Sequence, residues 1–142
     1  MASSSHSDIR AKADTVRVLI AEDEAMIALS LSDLLEAEGY EVTITSNGAE
    51  ALTEAKRLGS RLDALLTDLN MPCMSGEALI RAMRVQQPGL PIVVVTGSAP
   101  IGGLEELRRQ GGGEEPFALL HKPMNYDDLV ETVRRAVWPK HP

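Results

Sequence analysis

Short apolar runs alternate with amphipathic segments along this chain, and that alternation restricts its fold more than any other feature. The runs cover residues 16–21, 41–45, 62–67, 91–96 and 117–120, each of strand length and bounded by turn residues. Between the first two, Ile27, Leu31, Leu34 and Leu35 recur at helical spacing, and Gly39 closes that helix. Asn47 with Glu50 three residues on resembles a capping box, opening a helix through Leu58 that stops at Gly59. A third helix is expected from Gly76 to about Gln87, with Leu79 and Met83 inward. The fourth has only a thin stripe, Ile101, Leu104 and Leu107. Gly102, Gly103 and the run Gly111-Gly112-Gly113 work against it, since each interior glycine costs roughly 1 kcal/mol relative to alanine. Asn125 caps a last helix, with Val130, Val133 and Val137 facing in and Pro139 ending it.

Strand–helix alternation of this kind predicts an α/β fold: a doubly wound parallel sheet of five strands with five helices and right-handed crossovers. One domain over residues 16–140 accounts for every element, and residues 1–15, polar and serine-rich, read as a flexible tail. The formal net charge of −7 and the lack of a basic patch argue against nucleic acid as a direct partner. No apolar run reaches membrane-spanning length, and the N-terminus lacks the apolar core of a signal peptide. Cys73 is the only cysteine, so no intrachain disulfide forms and a reducing, cytoplasmic setting is expected.

In a parallel sheet the C-terminal ends of the strands meet at one edge, where open α/β folds place their chemistry. That edge collects Glu22 and Asp23, Asp68, Thr96 and Lys122. Asp68 alone reads equally well as a turn residue; its convergence with two acids, a hydroxyl and an ammonium does not. Clustered carboxylates repel unless a cation sits among them, and an all-oxygen site suits Mg²⁺. A carboxylate so neutralised can attack a phosphoryl group to give an aspartyl phosphate, with Thr96 and Lys122 on the phosphoryl oxygens.

Four motifs in order carry a resemblance over residues 16 to about 138: Glu22-Asp23 after the first strand, Asp68-Leu69-Asn70-Met71-Pro72 with Gly76 beyond, Thr96-Gly97, and Lys122-Pro123. Together they resemble the response-regulator receiver domain of two-component signalling, of the chemotaxis response regulator kind. The resemblance implies the flavodoxin-like strand order 2-1-3-4-5 and Asp68 as phosphoacceptor. It implies Mg²⁺ on Asp23, Asp68 and the Asn70 carbonyl, with Glu22 direct or through water, and Thr96 and Lys122 on the phosphoryl group. It further implies a cis bond before Pro123, room at Gly97 for the donor, and Asn70 and Ser98 as positions that tune phosphoryl lifetime. The implied partners are a sensor histidine kinase or histidine phosphotransfer protein, with an output protein on the surface of the fourth helix and fifth strand.

Two departures stand out. The family usually carries an aromatic switch residue three positions before the lysine; here that position is Leu119, with Phe117 on the same strand face by period two. The fourth helix is flanked by glycines. A single-domain regulator is the expected organisation, and a receiver segment of a hybrid histidine kinase or a phosphorylation-independent binding module are the alternatives. A phosphatase of the haloacid-dehalogenase type is disfavoured, because Asn70 stands where that class needs a second carboxylate. A nucleotide enzyme is disfavoured by the absence of a phosphate-cradling glycine loop. His121 reads as a loop or strand-end residue, Cys73 as an inert loop thiol, Glu24 as a first-turn helix acid, the methionines mostly as core or loop filling, and Trp138 as a packing or partner-surface residue.

Overall fold

The structure, a computed structural model, describes residues 15–111 and 117–138, excluding the side chains at 110, 111 and 117. The expected N-terminal tail up to residue 14, together with Gly112, Gly113 and Pro139, lies outside the described residues. Five strands, β1 (Arg17–Ala21), β2 (Glu41–Thr45), β3 (Ala64–Thr67), β4 (Ile92–Thr96) and β5 (Phe117–His121), form one parallel sheet in the order β2-β1-β3-β4-β5. The helices are α1 (Ala25–Ala37), α2 (Gly48–Leu58), α3 (Gly76–Gln86), α4 (Gly103–Gly111) and α5 (Tyr126–Val137).

The period-two alternation of strand side chains divides the core in two. Leu19, Ala21, Leu65, Ile92 and Val94 meet Ala51, Ala55 and Leu58 of α2, Leu79, Ile80 and Met83 of α3, and Leu107 of α4. On the other face Val18, Ile20, Leu66, Val93 and Val95 meet Leu31 and Leu35 of α1 and Leu129, Val133 and Val137 of α5. Strands buried on both faces explain why the sequence shows continuous apolar runs there, most plainly in β4.

Several expected boundaries and inward positions shift, each for a local reason. Residues 62 and 63 precede the paired part of β3. A 3₁₀ turn at Gly59–Arg61 leads into Leu62, and Asp63 instead brackets Arg17, its amide donating to the Arg17 carbonyl at 2.9 Å and its carboxylate accepting from the Arg17 amide at 2.9 Å. In α5 the fully buried position is Leu129, whereas Val130 is half-buried. Ile101 is not part of an apolar stripe: it is wholly exposed and precedes α4. Gly102 and Gly103 adopt φ of +95° and +56°, so the helix begins only at Gly103 and Ile101 is out of phase with it. The capping box at α2 is offset by one residue. Asn47 Oδ1 accepts from the Glu50 amide at 2.8 Å, but Glu50 reaches back to the Ser46 amide at 3.1 Å. Asn125 caps α5 as expected, accepting from Asp127 at 2.7 Å.

Candidate functional site

Backbone ladders deliver the site residues to one place. Glu22, Asp68 and Lys122 each follow immediately on the last residue of a strand, and each amide adds one further rung. The Glu22 amide donates to Thr45 at 3.0 Å, Asp68 to Ala21 at 3.0 Å and Lys122 to Thr96 at 2.9 Å. Side chains at these positions are thus aimed by the sheet rather than by flexible loops.

Lys122 Nζ lies 2.7 Å from Glu22 Oε1 and 2.9 Å from Asp68 Oδ2, bridging two buried carboxylates. The other Asp68 oxygen accepts from the Leu69 amide at 2.6 Å, with the Asn70 amide at 3.4 Å. The second Glu22 oxygen accepts from the Glu24 amide at 3.1 Å. Thr96 is fully buried, hydrogen-bonds Asp68, and accepts from the Ser98 amide at 3.2 Å. Asp23 is exposed, and one carboxylate oxygen from each of Glu22, Asp23 and Asp68 lies within 4.8 Å of the others.

The electrostatics separate the two buried acids. Burial pushes Glu22 above its ordinary value, and the hydrogen bonds from Lys122 and Glu24 only partly offset it. Burial also acts to raise Asp68, but hydrogen bonds from Lys122, Thr96 and the Leu69 amide outweigh it and hold the carboxyl below its usual value. Lys122 moves up: burial opposes its charge, yet pairing with Glu22 and Asp68 prevails. Asp68 is therefore held in its carboxylate form. Three carboxylates against one ammonium leave excess negative charge on an all-oxygen donor set, which fits a hard divalent cation such as Mg²⁺. Glu22 and Asp68 each have both carboxylate oxygens engaged, so the exposed Asp23 is the most open of the three acids.

Only some of the remaining expected residues lie beside this cluster. Asn70 is exposed beside Asp68. Gly97 is exposed, with only the Lys122 Cβ, at 4.0 Å, near the place of a missing side chain, so space is left there. The Lys122–Pro123 bond is cis. Leu119 is half-buried against the core under α4, 3.9 Å from where a Gly103 Cβ would sit, and no aromatic ring occupies that position. Phe117 pairs with Ile92 through its backbone, and its side chain is outside the described residues. His121 and Cys73 are exposed, Glu24 is the exposed N-cap of α1 without a side-chain cap bond, and Trp138 is half-exposed at the end of α5. Met83 is core and Met71, Met74 and Met124 pack at its margin, but Met26 is largely exposed. With Ile27, Met124 and Tyr126, Met26 lines an apolar groove of about 450 Å³ that also includes Lys122. Sequence reasoning missed this groove and the Lys122–Glu22 pair, since both join residues far apart in the chain.

The response regulator receiver domain profile matches residues 18–134. A response regulator receiver protein of Anaeromyxobacter sp. strain Fw109-5 is 38% identical over 115 residues, covering 81% of this chain and 46% of that protein. The cell cycle response regulator CtrA of Brucella ovis is 32% identical over 122 residues, covering 86% of this chain and 50% of that protein. The chain thus spans about half the length of these relatives. Among solved structures, the Vibrio cholerae chemotaxis protein CheY4 superposes with a TM-score of 0.74 at 30% identity, covering 86% of this chain and 98% of that one. The fold is that of a parallel α/β receiver with an acidic pocket at the strand ends. The chain belongs to the response regulator receiver domain family, and its described part contains no helix long and apolar enough to cross a membrane.

Proposed function

We propose that residues 16–140 act as a phosphoryl-accepting unit in which Asp68 takes the group from a phosphohistidine on a sensor histidine kinase or a histidine phosphotransfer protein. The observation that carries this reading is the state of Asp68: buried, ionised, and touched by an ammonium, a hydroxyl and two backbone amides beside two further acids. An Asp68 oxygen forms the new bond to phosphorus as the P–N bond breaks. The electron pair leaves on the imidazole, which is neutral when its other ring nitrogen already carries a proton. Lys122 turns from Asp68 to a phosphoryl oxygen while keeping its contact with Glu22, and the Thr96 hydroxyl donates to a second oxygen. Asp23 and Asp68, with Glu22 behind them and the Asn70 carbonyl on the exposed side, would hold Mg²⁺. When bound, Mg²⁺ supplies charge neutralisation for the incoming phosphoryl oxygens.

Output is proposed to run through protein contact or onward transfer of the phosphoryl group. With Leu119 in place of an aromatic ring, coupling to α4 depends on aliphatic packing rather than ring rotation. A cytoplasmic location is part of the proposal and accords with an unpaired, exposed Cys73. Intact-protein mass after incubation with acetyl phosphate tests the reading. A Mg²⁺-dependent phosphoryl adduct absent from Asp68→Asn is expected. Absence of an adduct in a chain that binds Mg²⁺ would favour a phosphorylation-independent module instead.

A further inference from the structure

We propose that Gly48, the first residue of α2, is a positioning residue for the metal-binding side of this site, acting through the backbone of Met74. The inference rests on the reading of the acidic cluster given above. A Cβ at Gly48 would stand 2.3 Å from the Met74 carbonyl oxygen, 2.9 Å from Met74 Cβ and 3.0 Å from Met74 C. The start of α2 therefore abuts the loop between β3 and α3 at a distance no other residue permits. Gly48 is buried, and its backbone has no left-handed φ, so closeness alone calls for glycine here.

Neither side of this contact is free to retreat. The helix is fixed by Ala51 and Ala55, both fully buried against the sheet, and by the Asn47 cap. The loop is clamped at its far end by Gly76, whose amide donates to Leu69 at 2.9 Å and whose missing Cβ would lie 2.1 Å from the Asp68 carbonyl. Between the clamps the chain makes a tight turn, the Met74 amide donating to Pro72 at 2.8 Å with Cys73 at φ +69°. That φ is a conformation in which a non-glycine residue stores strain. A side chain at 48 must push Met74 outward by roughly 1 Å to reach ordinary van der Waals contact. Since Gly76 cannot move, the displacement falls on the segment containing Asn70. Mg²⁺ tolerates little departure from octahedral geometry, so a shift of this size is felt as lost affinity.

The test is titration of Mg²⁺ by calorimetry into wild type, Gly48→Ala and Ala55→Gly. The last variant loosens the same helix without touching the loop. Gly48→Ala is expected to raise the Mg²⁺ dissociation constant about tenfold or more, the range for residues that orient metal ligands. Its acetyl phosphate adduct rate at saturating Mg²⁺ should stay within a few-fold of wild type. Ala55→Gly should leave the constant unchanged. Should Gly48→Ala fail to fold, Gly48→Ala/Met74→Gly, whose loop can yield, is read in the same titration with the same expected rise. An unchanged constant in the folded Gly48 variant, or an equal rise in Ala55→Gly, overturns the inference alone. A wild-type chain that binds no Mg²⁺ overturns the reading of the site and this inference with it.

Discussion

Asp23→Asn is expected to make the metal-free protein more stable and to remove most of its response to Mg²⁺. Carboxylate oxygens of Glu22, Asp23 and Asp68 lie within 4.8 Å of one another. At that distance a pair of unit charges interacts by about 0.9 kcal/mol in water and about 3.5 kcal/mol at an effective dielectric of 20. Asp23 is exposed, which places its interactions near the lower figure. Asparagine keeps its shape while removing two repulsions and one attraction to Lys122, leaving a net gain of about 1 kcal/mol. Wild type recovers stability from the ion, about 1.4 kcal/mol at ten times its dissociation constant. The two proteins should therefore exchange rank, or nearly so, between EDTA and excess Mg²⁺ in urea denaturation followed by circular dichroism. If Asp23→Asn is no more stable in EDTA, or gains as much from Mg²⁺ as wild type, the acidic cluster is not the cation site argued here.

Replacing Lys122 with methionine leaves Glu22 and Asp68 facing each other without an ammonium, at a cost of about 2–3 kcal/mol at neutral pH. The folded value of Asp68 is depressed in wild type, so its contribution is present above the unfolded value and lost as pH falls through the folded one. In the variant both acids are raised instead. The stability gap should therefore be widest near neutral pH and shrink towards about pH 4, where carboxylates protonate, in denaturation curves taken across that range. Arg84→Met removes a buried guanidinium that donates to the Pro88 carbonyl at 3.1 Å and the Leu90 carbonyl at 2.7 Å. It should cost about 2 kcal/mol by the same assay, with Mg²⁺ affinity unchanged. Asn47→Ala removes the α2 cap and should lower stability by about 1 kcal/mol.

Much of this architecture is legible because local signals and tertiary demands agree. Asn47, Gly59 and Asn125 punctuate helices where their side chains or backbone freedom require, and β4 is apolar up to the site residue Thr96 because both faces are covered. Glu22, Asp68, Thr96 and Lys122 could be placed together because the ends of parallel strands share one edge. Ile101 misleads because helical spacing assumes one continuous helix, whereas two left-handed glycines, the second of them opening α4, reset the chain after it. Val130 misleads for a smaller reason: Leu129 beside it is the residue in phase with Val133 and Val137. The bridging of Glu22 by Lys122 spans 100 positions and leaves no local trace in the sequence. The abutment of Gly48 on Met74 is equally silent, since a glycine at a helix start is unremarkable until the facing backbone is known.

The measurement that bears most directly on the central claim is the position of the acyl phosphate. After reaction with acetyl phosphate and Mg²⁺, borohydride reduction converts an aspartyl phosphate to homoserine, and peptide mass spectrometry locates it. Homoserine at position 68, and nowhere else, is the predicted result. Homoserine at position 23, or at any other acid with position 68 unmodified, would contradict the account.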